Sequence, residues 1–297
     1  MARSDPEIGP SLTHATKRLR VAGSPTARLD AEVLIAHVIG RDRAWVLAHP
    51  EAPLEADAAD ALRSAVERRA AGEPIAYIRG FKEWRSLRIQ TDARGLIPRP
   101  ETELLAEAAM AEIAERLARD REPIAAWEVA TGSGAVAAAL AIRFRSALAL
   151  HRLTLVASDV SPDALELAAE NLALHGVGSL VTLACADLLE PAGVSLPRPD
   201  VVVANLPYVA SAEVDARLGS LGYEPRVALD GGVDGLTVLR RLLSGLPTSI
   251  APGAAVFLEI GVGQVDSIAA LAPAGWSVSV VPDLAGLDRI VRLVMPD

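Results

Sequence analysis

The sequence predicts a two-part α/β protein in which a small helical bundle precedes a largely parallel sheet. Residues 11–72 place apolar side chains at helical spacing, whereas from Ala125 onward short apolar runs alternate with amphipathic helical stretches. At 297 residues, the chain is long enough for two domains. Its 51% hydrophobic content excludes a disordered chain and allows a large core.

Charge and cysteine content limit the classes of function. A formal charge of −9 disfavours stable nucleic-acid binding, which usually needs a basic surface. Cys185 is the single cysteine, and the five histidines show no i, i+4 pairing, so we expect neither a disulfide nor a metal site. Residues 1–10 lack an apolar signal region, and no apolar run is long enough to cross a membrane, so we expect a cytoplasmic protein without membrane partners.

Residues 1–73 are assigned to the helical domain. Residues 29–39 place apolar side chains three and four apart, and Gly40 is a plausible C-terminal cap. Residues 56–69 form a second, alanine-rich helical stretch. A bundle of this kind serves either to recognise a partner or as a structural cap.

Residues 74–97 lack the helical spacing of apolar side chains and are assigned to a β-hairpin linker. Apolar residues sit here among Gly80 and charged side chains, which predicts short strands; they are Ile75, Tyr77, Ile78, Trp84, Leu87 and Ile89. Pro98 and Pro100 then hold Arg99 in an extended segment, and Glu101 or Thr102 can start a helix over residues 104–119.

Residues 98–297 are assigned to the α/β domain. We place seven strands, at 125–130, 153–158, 180–185, 200–204, 254–260, 277–282 and 289–295. We place its other helices at 134–145, 162–174, 211–218, 234–245 and 264–271. The loop between the last two strands has no room for a crossover helix, so they should pair antiparallel. Seven strands that close with such a hairpin are typical of the methyltransferase variant of the nucleotide-binding fold.

The segment from Glu128 to Gly134 predicts a strand, a tight turn and a helix start, with backbone close to a ligand. It also satisfies the dinucleotide fingerprint, so the motif alone does not separate NAD from S-adenosylmethionine. The Glu128 carboxylate can meet a methionine ammonium but would repel a pyrophosphate. The residues we expect at the cofactor here are Glu128, Ala130, Thr131, Gly132, Ser133 and Gly134.

Two further carboxylates follow the next strands, at the edge where open sheets bind ligands. Asp159 can accept both ribose hydroxyls, Asp187 can accept the adenine amine, and Leu188 can pack on the adenine face. The alternative is that each carboxylate caps a helix, as the sequence Ser161-Pro162 after Asp159 suggests. We interpret His175 and Cys185 as structural residues, since Cys185 lies in an apolar strand.

The buried run 201–204 ends in Asn205-Leu206-Pro207-Tyr208. The Asn205 side-chain oxygen and the Leu206 backbone carbonyl can each accept one N–H of a planar –NH2 group. Pro207 stiffens the turn, and Tyr208 offers a flat face for stacking. The nitrogen lone pair can then face an electrophile, which suits methyl transfer to an amide or an aromatic amine. An ordinary Asn-Pro turn is the alternative. We expect Asn205 to contact both cofactor and substrate.

With these residues in place, the chain resembles the HemK/PrmC family, the peptide chain release factor glutamine methyltransferases. The resemblance covers nearly the whole length. Its segments are 29–32, 74–80, 96–103 with Pro-Arg-Pro-Glu-Thr-Glu, the Thr-Gly-Ser-Gly loop, 205–208, 224–232 and 258–261. It implies a class I, Rossmann-like methyltransferase fold, S-adenosylmethionine as donor and S-adenosylhomocysteine as product. It also implies the glutamine of the release factors' Gly-Gly-Gln loop as acceptor, recognition of the release factor by the helical domain, and a substrate-binding role for Arg99.

Three residues depart from the family pattern. Leu206 stands where Asn-Pro-Pro-Tyr is usual, Glu128 replaces Asp, and Ala130 replaces the first loop glycine. We expect Ala130 to avoid positive φ. Asn-Leu-Pro-Tyr also resembles the ribosomal RNA adenine dimethyltransferases, so an adenine-amine methyltransferase acting on RNA or DNA is an alternative. The sequence is also compatible with a nicotinamide-dependent oxidoreductase and with a non-catalytic binding module.

Overall fold

A computed structural model describes residues 6–119, 122–191, 195–216 and 219–296. The chain forms two compact units, Met1–Phe81 with Leu218–Tyr223 and Lys82–Arg217 with Glu224–Asp297. The division at Phe81 falls inside the predicted linker, while the domain limits at 73 and 97 stay a prediction. Among the described residues, every helix is too short or too polar to span a lipid bilayer. The first five residues of the segment in which we expected no signal region lie outside the described residues.

The first unit is helical, as predicted. Its helices are α1 (Ile8–Val21), α2 (Ala27–Val38), α3 (Arg43–Ala48), α4 (Ala56–Ala70) and α5 (Ile75–Arg79). Side chains such as Ile8, Leu34 and Ile35 are fully buried in one apolar core. Gly40, at a φ of 64°, follows the end of α2 in the left-handed conformation that terminates helices.

The expectation of strands at residues 75–78 is wrong, because α5 occupies them. Pro74, with φ fixed near −60°, precedes the helix, and Gly80 ends it at a φ of 76°. The rest of the predicted hairpin is present: β1 (Phe81–Trp84) and β2 (Leu87–Gln90) form a two-stranded sheet.

The second unit contains the predicted seven-stranded sheet with one addition. Its strands are β3 (Ile124–Val129), β4 (Leu153–Asp159), β5 (Thr182–Asp187), β6 (Glu190–Pro191), β7 (Val201–Ala204), β8 (Ala255–Glu259), β9 (Ser277–Pro282) and β10 (Asp288–Val294). The order is β6-β5-β4-β3-β7-β8-β10-β9. β10 pairs antiparallel with both β8 and β9, which confirms the predicted closing hairpin. β6, an edge strand of two residues antiparallel to β5, was not predicted.

Helices cover the sheet. They are α6 (Thr102–Arg119), α7 (Ala135–Arg143), α8 (Arg145–Ala149), α9 (Pro162–Leu174), α10 (Ser211–Ala216), α11 (Thr237–Ser249) and α12 (Val265–Leu271). The helix predicted over 134–145 is interrupted at Phe144, whose φ and ψ of −111° and 24° are not helical. α11 begins later than predicted because the Asp234 side chain accepts the Leu236 N–H in a preceding turn. The last two positions of the helix predicted over 211–218 lie outside the described residues.

The sheet brings the ends of its central strands to one edge. All residues of β3, β7 and β8 are buried, as expected of parallel strands covered on both faces. Parallel pairing sets Val129 opposite both Ser158 and Ala204, and Ala204 opposite Leu258. The residues that follow these strand ends therefore lie side by side. In the outer strand β5, the Cys185 side chain is exposed, so the expectation that it has a structural packing role is wrong.

Candidate active site

A cavity of about 340 Å³ lies where β3, β4, β5 and β7 end. Its size is within the range of small-molecule sites. All its lining residues belong to the second unit. They include every predicted cofactor residue except Gly134, together with Arg99, Leu206 and Pro207. The sheet edge therefore gathers most of the predicted site residues around one space.

The loop between β3 and α7 forms one wall of the cavity. Gly132 and Gly134 have φ values of 53° and 75°, which glycine adopts without steric strain. Gly134 also packs against α9, because an added Cβ would lie 2.9 Å from the Ala168 Cβ. The Thr131 N–H donates to the Ser158 carbonyl at 2.9 Å and fixes the start of the turn. The loop therefore holds its backbone next to the cavity.

Ala130 does not have the conformation expected from the sequence, so the expectation that it avoids positive φ is wrong. Its φ is 58°, in the left-handed region that costs most L-residues about 1–2 kcal/mol. Ala130 follows β3 directly, and the sharp turn into Gly132 imposes this conformation whether or not the residue is glycine. Leu188, which follows β5, has a φ of 59° and also lines the cavity.

Asp159 is buried at the end of β4. Its Oδ2 accepts the Gly132 N–H and its Oδ1 accepts the Ser161 N–H, each at 2.9 Å. Burial raises the pKa of Asp159 despite these hydrogen bonds. The α9 cap itself is Ser161, whose Oγ accepts the Ala164 N–H at 3.3 Å, so the interpretation of Asp159 as the helix cap is wrong.

Glu128 is 5% exposed and lies on the floor of the cavity. Its Oε2 accepts the Thr131 hydroxyl at 2.8 Å. Burial, with a smaller contribution from repulsion by the neighbouring Asp159 carboxylate, raises the pKa of Glu128 to about 8. Ionised Glu128 is therefore destabilised here unless a positive group enters.

The arginines that line the cavity already have acidic partners. Arg94 pairs with Asp92 and Glu170, Arg99 with Glu224, and Arg241 with Asp187. Glu128 and Asp159 have no ion-pair partner among the described residues. A ligand with a positive charge fits this environment, whereas a pyrophosphate would be repelled. The carboxylates of Glu128 and Asp159 thus fit the ammonium and sulfonium of S-adenosylmethionine better than they fit NAD.

Asp187 is about half exposed, and its Oδ2 lies 2.7 Å from Arg241 Nη2. Its predicted contact with an adenine amine stays a prediction, as do the other cofactor contacts. The structure nevertheless places Asp187 and Leu188 on the cavity wall.

Asn205 follows β7, with its side chain directed by α6. Its Nδ2 donates to Thr102 Oγ1 at 3.1 Å, which leaves Oδ1 free to accept from another group. The Leu206 side chain is buried in the apolar core below the turn, at 3% exposure. Leu206 therefore anchors the turn by packing.

Asn205, Leu206 and Pro207 line the cavity, whereas Tyr208 does not. The Tyr208 hydroxyl lies 3.5 Å from Glu259 Oε1. Burial raises the pKa of Tyr208 to about 12. The Tyr208 hydroxyl therefore lies next to the last residue of β8, and the predicted stacking of its ring on a substrate stays a prediction.

A loop formed by residues 224–232 braces the Asn205 turn. The Val209 N–H donates to the Leu229 carbonyl at 3.1 Å, and the Gly231 N–H donates to the Val209 carbonyl at 2.8 Å. Gly231 must be glycine, because an added Cβ would lie 2.7 Å from the Pro207 carbonyl oxygen. These contacts hold the loop 224–232 against the Asn205 turn.

Sequence reasoning missed three residues of this site: Thr102, Glu224 and Glu259. Each lies inside a segment that carries the family resemblance, which was the available signal. Their roles follow from side-chain contacts with Asn205, Arg99 and Tyr208, and residue spacing does not reveal such contacts.

Comparison with known proteins identifies the family. Residues 11–80 match the family model of the PrmC N-terminal domain. The chain is 38% identical to the release factor glutamine methyltransferase of Deinococcus radiodurans over 282 residues, which cover 95% of this chain and 96% of that protein. It is also 38% identical to the Moorella thermoacetica enzyme of the same name over 286 residues, 94% of this chain and 95% of that one.

A solved structure supports the fold. A methyltransferase from Pyrococcus furiosus superposes with a TM-score of 0.50 at 19% identity, covering 72% of this chain and 91% of that one. The two relatives match almost end to end and well above 30% identity. The chain therefore belongs to the release factor glutamine methyltransferase family.

Proposed function

We propose that this enzyme transfers a methyl group from S-adenosylmethionine to the side-chain amide nitrogen of the glutamine in the Gly-Gly-Gln loop of peptide chain release factors. The observation that carries the proposal is the orientation of Asn205 at the edge of an acidic cavity. Its Nδ2 is held by Thr102, so its Oδ1 can accept an N–H from a substrate –NH2 group.

The acidic cavity would hold the cofactor. Glu128 would receive the methionine ammonium, Asp159 the ribose hydroxyls, and the backbone from Ala130 to Gly134 would follow the methionine part. Asp187 and Leu188 would bind the adenine amine and face. S-adenosylmethionine, when bound, supplies an electrophilic methyl group on a sulfonium. Binding of a cation would also lower the raised pKa of Glu128, so cofactor and residue favour each other.

The Asn205 turn would hold the substrate amide. One N–H would be accepted by Asn205 Oδ1 and the other by the Leu206 carbonyl, while Tyr208 would stack on the amide plane and Arg99 would contact the substrate. An amide nitrogen is a poor nucleophile because its lone pair is delocalised into the carbonyl. Fixing both hydrogens directs the lone pair towards the methyl carbon, which must lie about 3–3.5 Å away and in line with the sulfur. The C–S bond would break as the N–C bond forms, which would release S-adenosylhomocysteine as the neutral thioether, and the alkylated nitrogen would then lose one proton to water.

The helical domain would recognise the release factor. Its match to the PrmC N-terminal domain supports this role over a structural cap. Release factors act on the ribosome, so the enzyme would work in the cytoplasm. Family membership argues against the oxidoreductase and the non-catalytic module. The adenine-amine alternative keeps one supporting observation, the Asn-Leu-Pro-Tyr sequence, and is opposed by the charge of −9.

Methyl transfer from labelled S-adenosylmethionine to three acceptors tests the proposal. The acceptors are a purified release factor, its Gly-Gly-Ala loop variant and ribosomal RNA. We expect label on the release factor that disappears in the loop variant, with S-adenosylhomocysteine as the second product. Label on RNA alone would establish the adenine-amine alternative. Equal label on the release factor and its loop variant would place the methylated residue outside the Gly-Gly-Gln loop.

A further inference from the structure

Glu259 lies beside Asn205, and the mechanism above gives it no role. Parallel pairing of β7 and β8 sets Ala204 opposite Leu258, so Asn205 and Glu259 leave the sheet next to each other. Glu259 is 2% exposed. Its Oε1 lies 3.5 Å from the Tyr208 hydroxyl, and among the described residues its Oε2 receives no hydrogen bond of normal geometry. A buried oxygen without a partner is costly, so it indicates a function.

Charged neighbours do not neutralise Glu259. Glu101 repels it from the start of α6, and burial raises the pKa of Glu259 to about 7. The two arginines that act on the neighbouring Tyr208 already have acidic partners: Arg99 pairs with Glu224, and Arg289 pairs with Asp283 at 2.9 Å and Glu101 at 3.8 Å. The polar side chains that face the carboxyl are those of Thr102, Asn205 and Tyr208, and all three lower its pKa. In either protonation state the carboxyl keeps an oxygen that can accept a hydrogen bond.

Thr102 connects Glu259 with Asn205. The Thr102 hydroxyl accepts the Asn205 Nδ2–H, so its own hydrogen must point elsewhere. The Thr102 and Asn205 side chains both lie close enough to the Glu259 carboxyl to lower its pKa, and Glu259 Oε2 is a buried acceptor that still lacks a hydrogen bond of normal geometry, so it is the acceptor that this hydrogen can reach. The resulting chain of donors runs from Asn205 through Thr102 to Glu259, and its direction decides which end of the Asn205 amide faces the substrate.

We propose that Glu259 is a positioning residue: it takes the Thr102 hydroxyl hydrogen and thereby holds Asn205 with Nδ2 turned inward and Oδ1 presented to the substrate –NH2. This inference rests on the proposed function, in which Oδ1 accepts from the amide. Without the acceptor at 259, the Thr102 hydroxyl can donate to Asn205 Oδ1. The Asn205 amide then inverts, and its own –NH2 faces the –NH2 of the substrate, which leaves two donors opposed.

Variants of Thr102 and Glu259 test the hydrogen-bond chain kinetically. Glu259→Ala and Thr102→Val should each lower kcat by about 100-fold, the scale expected when a reacting group is misplaced by about 1 Å. Affinity for S-adenosylhomocysteine should stay within about threefold, because the predicted cofactor contacts other than Asn205 lie at or just after the ends of β3, β4 and β5. Thr102→Ser keeps the hydroxyl and Glu259→Gln keeps one acceptor oxygen, so both should retain most activity. The double variant Thr102→Val with Glu259→Ala should be no slower than either single variant, because both substitutions interrupt the same series of hydrogen bonds.

Glu101→Gln is the matched control, since Glu101 is the neighbouring carboxyl at the start of α6 and is about 38% exposed in its side chain. Its kcat should stay within about threefold of the parent. Wild-type kcat in both Glu259→Ala and Thr102→Val, or losses that multiply in the double variant, would overturn the inference. If Glu259→Ala does not fold, the two Thr102 variants test the inference: a kcat of Thr102→Val equal to that of Thr102→Ser would overturn it.

A measurement without methyl transfer separates this inference from the proposed function. In the S-adenosylhomocysteine complex, hydrogen exchange of the Asn205 side-chain –NH2 can be followed by NMR, with its signal assigned by loss in Asn205→Asp. Exchange should be slow in the parent and in Glu101→Gln, and at least tenfold faster in Thr102→Val and Glu259→Ala. Unchanged exchange would contradict the positioning role even for an active enzyme. Slow exchange in a parent that does not methylate release factors would contradict the proposed substrate alone.

Discussion

Arg99 Nη2 lies 2.6 Å from Glu224 Oε1, and only 2% of the Glu224 side chain is exposed. Glu224 also accepts the Ile97 N–H at 3.1 Å. These contacts join the extended segment before α6 to the loop that braces the Asn205 turn. Both Arg99 and Pro225 line the cavity. The ion pair therefore fixes two walls of the site relative to each other.

Glu224→Ala should lower the free energy of unfolding of the second unit by about 3 kcal/mol, because removing one partner leaves the other charge and the Ile97 N–H uncompensated. We expect the lower end of the usual range, since the Arg99 side chain is 29% exposed and can rehydrate. Urea unfolding followed by circular dichroism measures the change.

The control for Glu224→Ala is Arg240→Ala. Arg240 pairs with Asp234, but their side chains are 43% and 47% exposed, so the loss should be much smaller than that of Glu224→Ala. Equal losses of unfolding free energy in the two variants would show that burial does not make the Arg99–Glu224 ion pair more stabilising than the Arg240–Asp234 pair.

Ala130→Gly should stabilise the protein. Relief of the left-handed conformation gains about 1–2 kcal/mol, and the greater freedom of glycine in the unfolded chain costs about 0.5–1 kcal/mol. The net gain in the free energy of unfolding lies between about 0 and 1.5 kcal/mol, with a midpoint of about 0.75 kcal/mol. Ala111→Gly makes the same change at an exposed position inside α6 and should instead cost about 1 kcal/mol. A loss in both variants would contradict the strain assigned to Ala130.

Cofactor affinity should rise with pH through the titration of Glu128. In the free enzyme the Glu128 pKa is about 8, raised by burial. A bound ammonium lowers that pKa, so the ligand prefers the ionised form. Affinity for S-adenosylhomocysteine should therefore increase from pH 6 to about pH 8.5 and then level off, by at most about tenfold per pH unit. Calorimetric titration at several pH values measures it, and Glu128→Gln should flatten the curve.

Stability of the free enzyme should change in the opposite sense. Unfolded Glu128 ionises near its ordinary pKa of 4.5, whereas the folded residue keeps its proton until about pH 8. The unfolded state therefore binds fewer protons in this window, and stability falls as pH rises from about 4.5 to 8. Glu128→Gln removes this loss, so its advantage over the parent should grow across the window. A constant difference between the two proteins would show that Glu128 does not titrate in this way.

The sheet and most of its site could be predicted from the sequence because strand ends carry their own signals. Asp159, Asp187 and Asn205 each follow an apolar run, and parallel pairing brings such positions together. Conformation at single residues was harder. Ala130 was expected at negative φ, since alanine usually adopts it, but the chain reversal after β3 decides the conformation there.

Side-chain partners from distant segments could not be predicted. Thr102 and Asn205 are far apart in sequence, as are Arg99 and Glu224, and their pairing depends on the packing of α6 and of the loop 224–232 onto the sheet. Tyr208 shows the same limit: its hydroxyl lies 3.5 Å from Glu259 Oε1, a contact that its place in the motif does not reveal. Short motifs thus identified the site, and long-range packing determined which side chains face the cavity.

Asn205→Ala should separate turnover from cofactor binding. The truncation removes the acceptor for the substrate –NH2, and loss of one such transition-state contact costs about 10²–10³ in kcat. Affinity for S-adenosylhomocysteine should fall by less than about threefold, because Asn205 contributes only one part of the cavity wall. Asn205→Asp keeps an acceptor but cannot donate to Thr102, so its kcat should lie between those of the parent and Asn205→Ala. Steady-state kinetics and calorimetric titration measure both quantities. Comparable losses in kcat and in affinity would mean that Asn205 serves mainly the cofactor, and the division of roles proposed for the turn would be wrong.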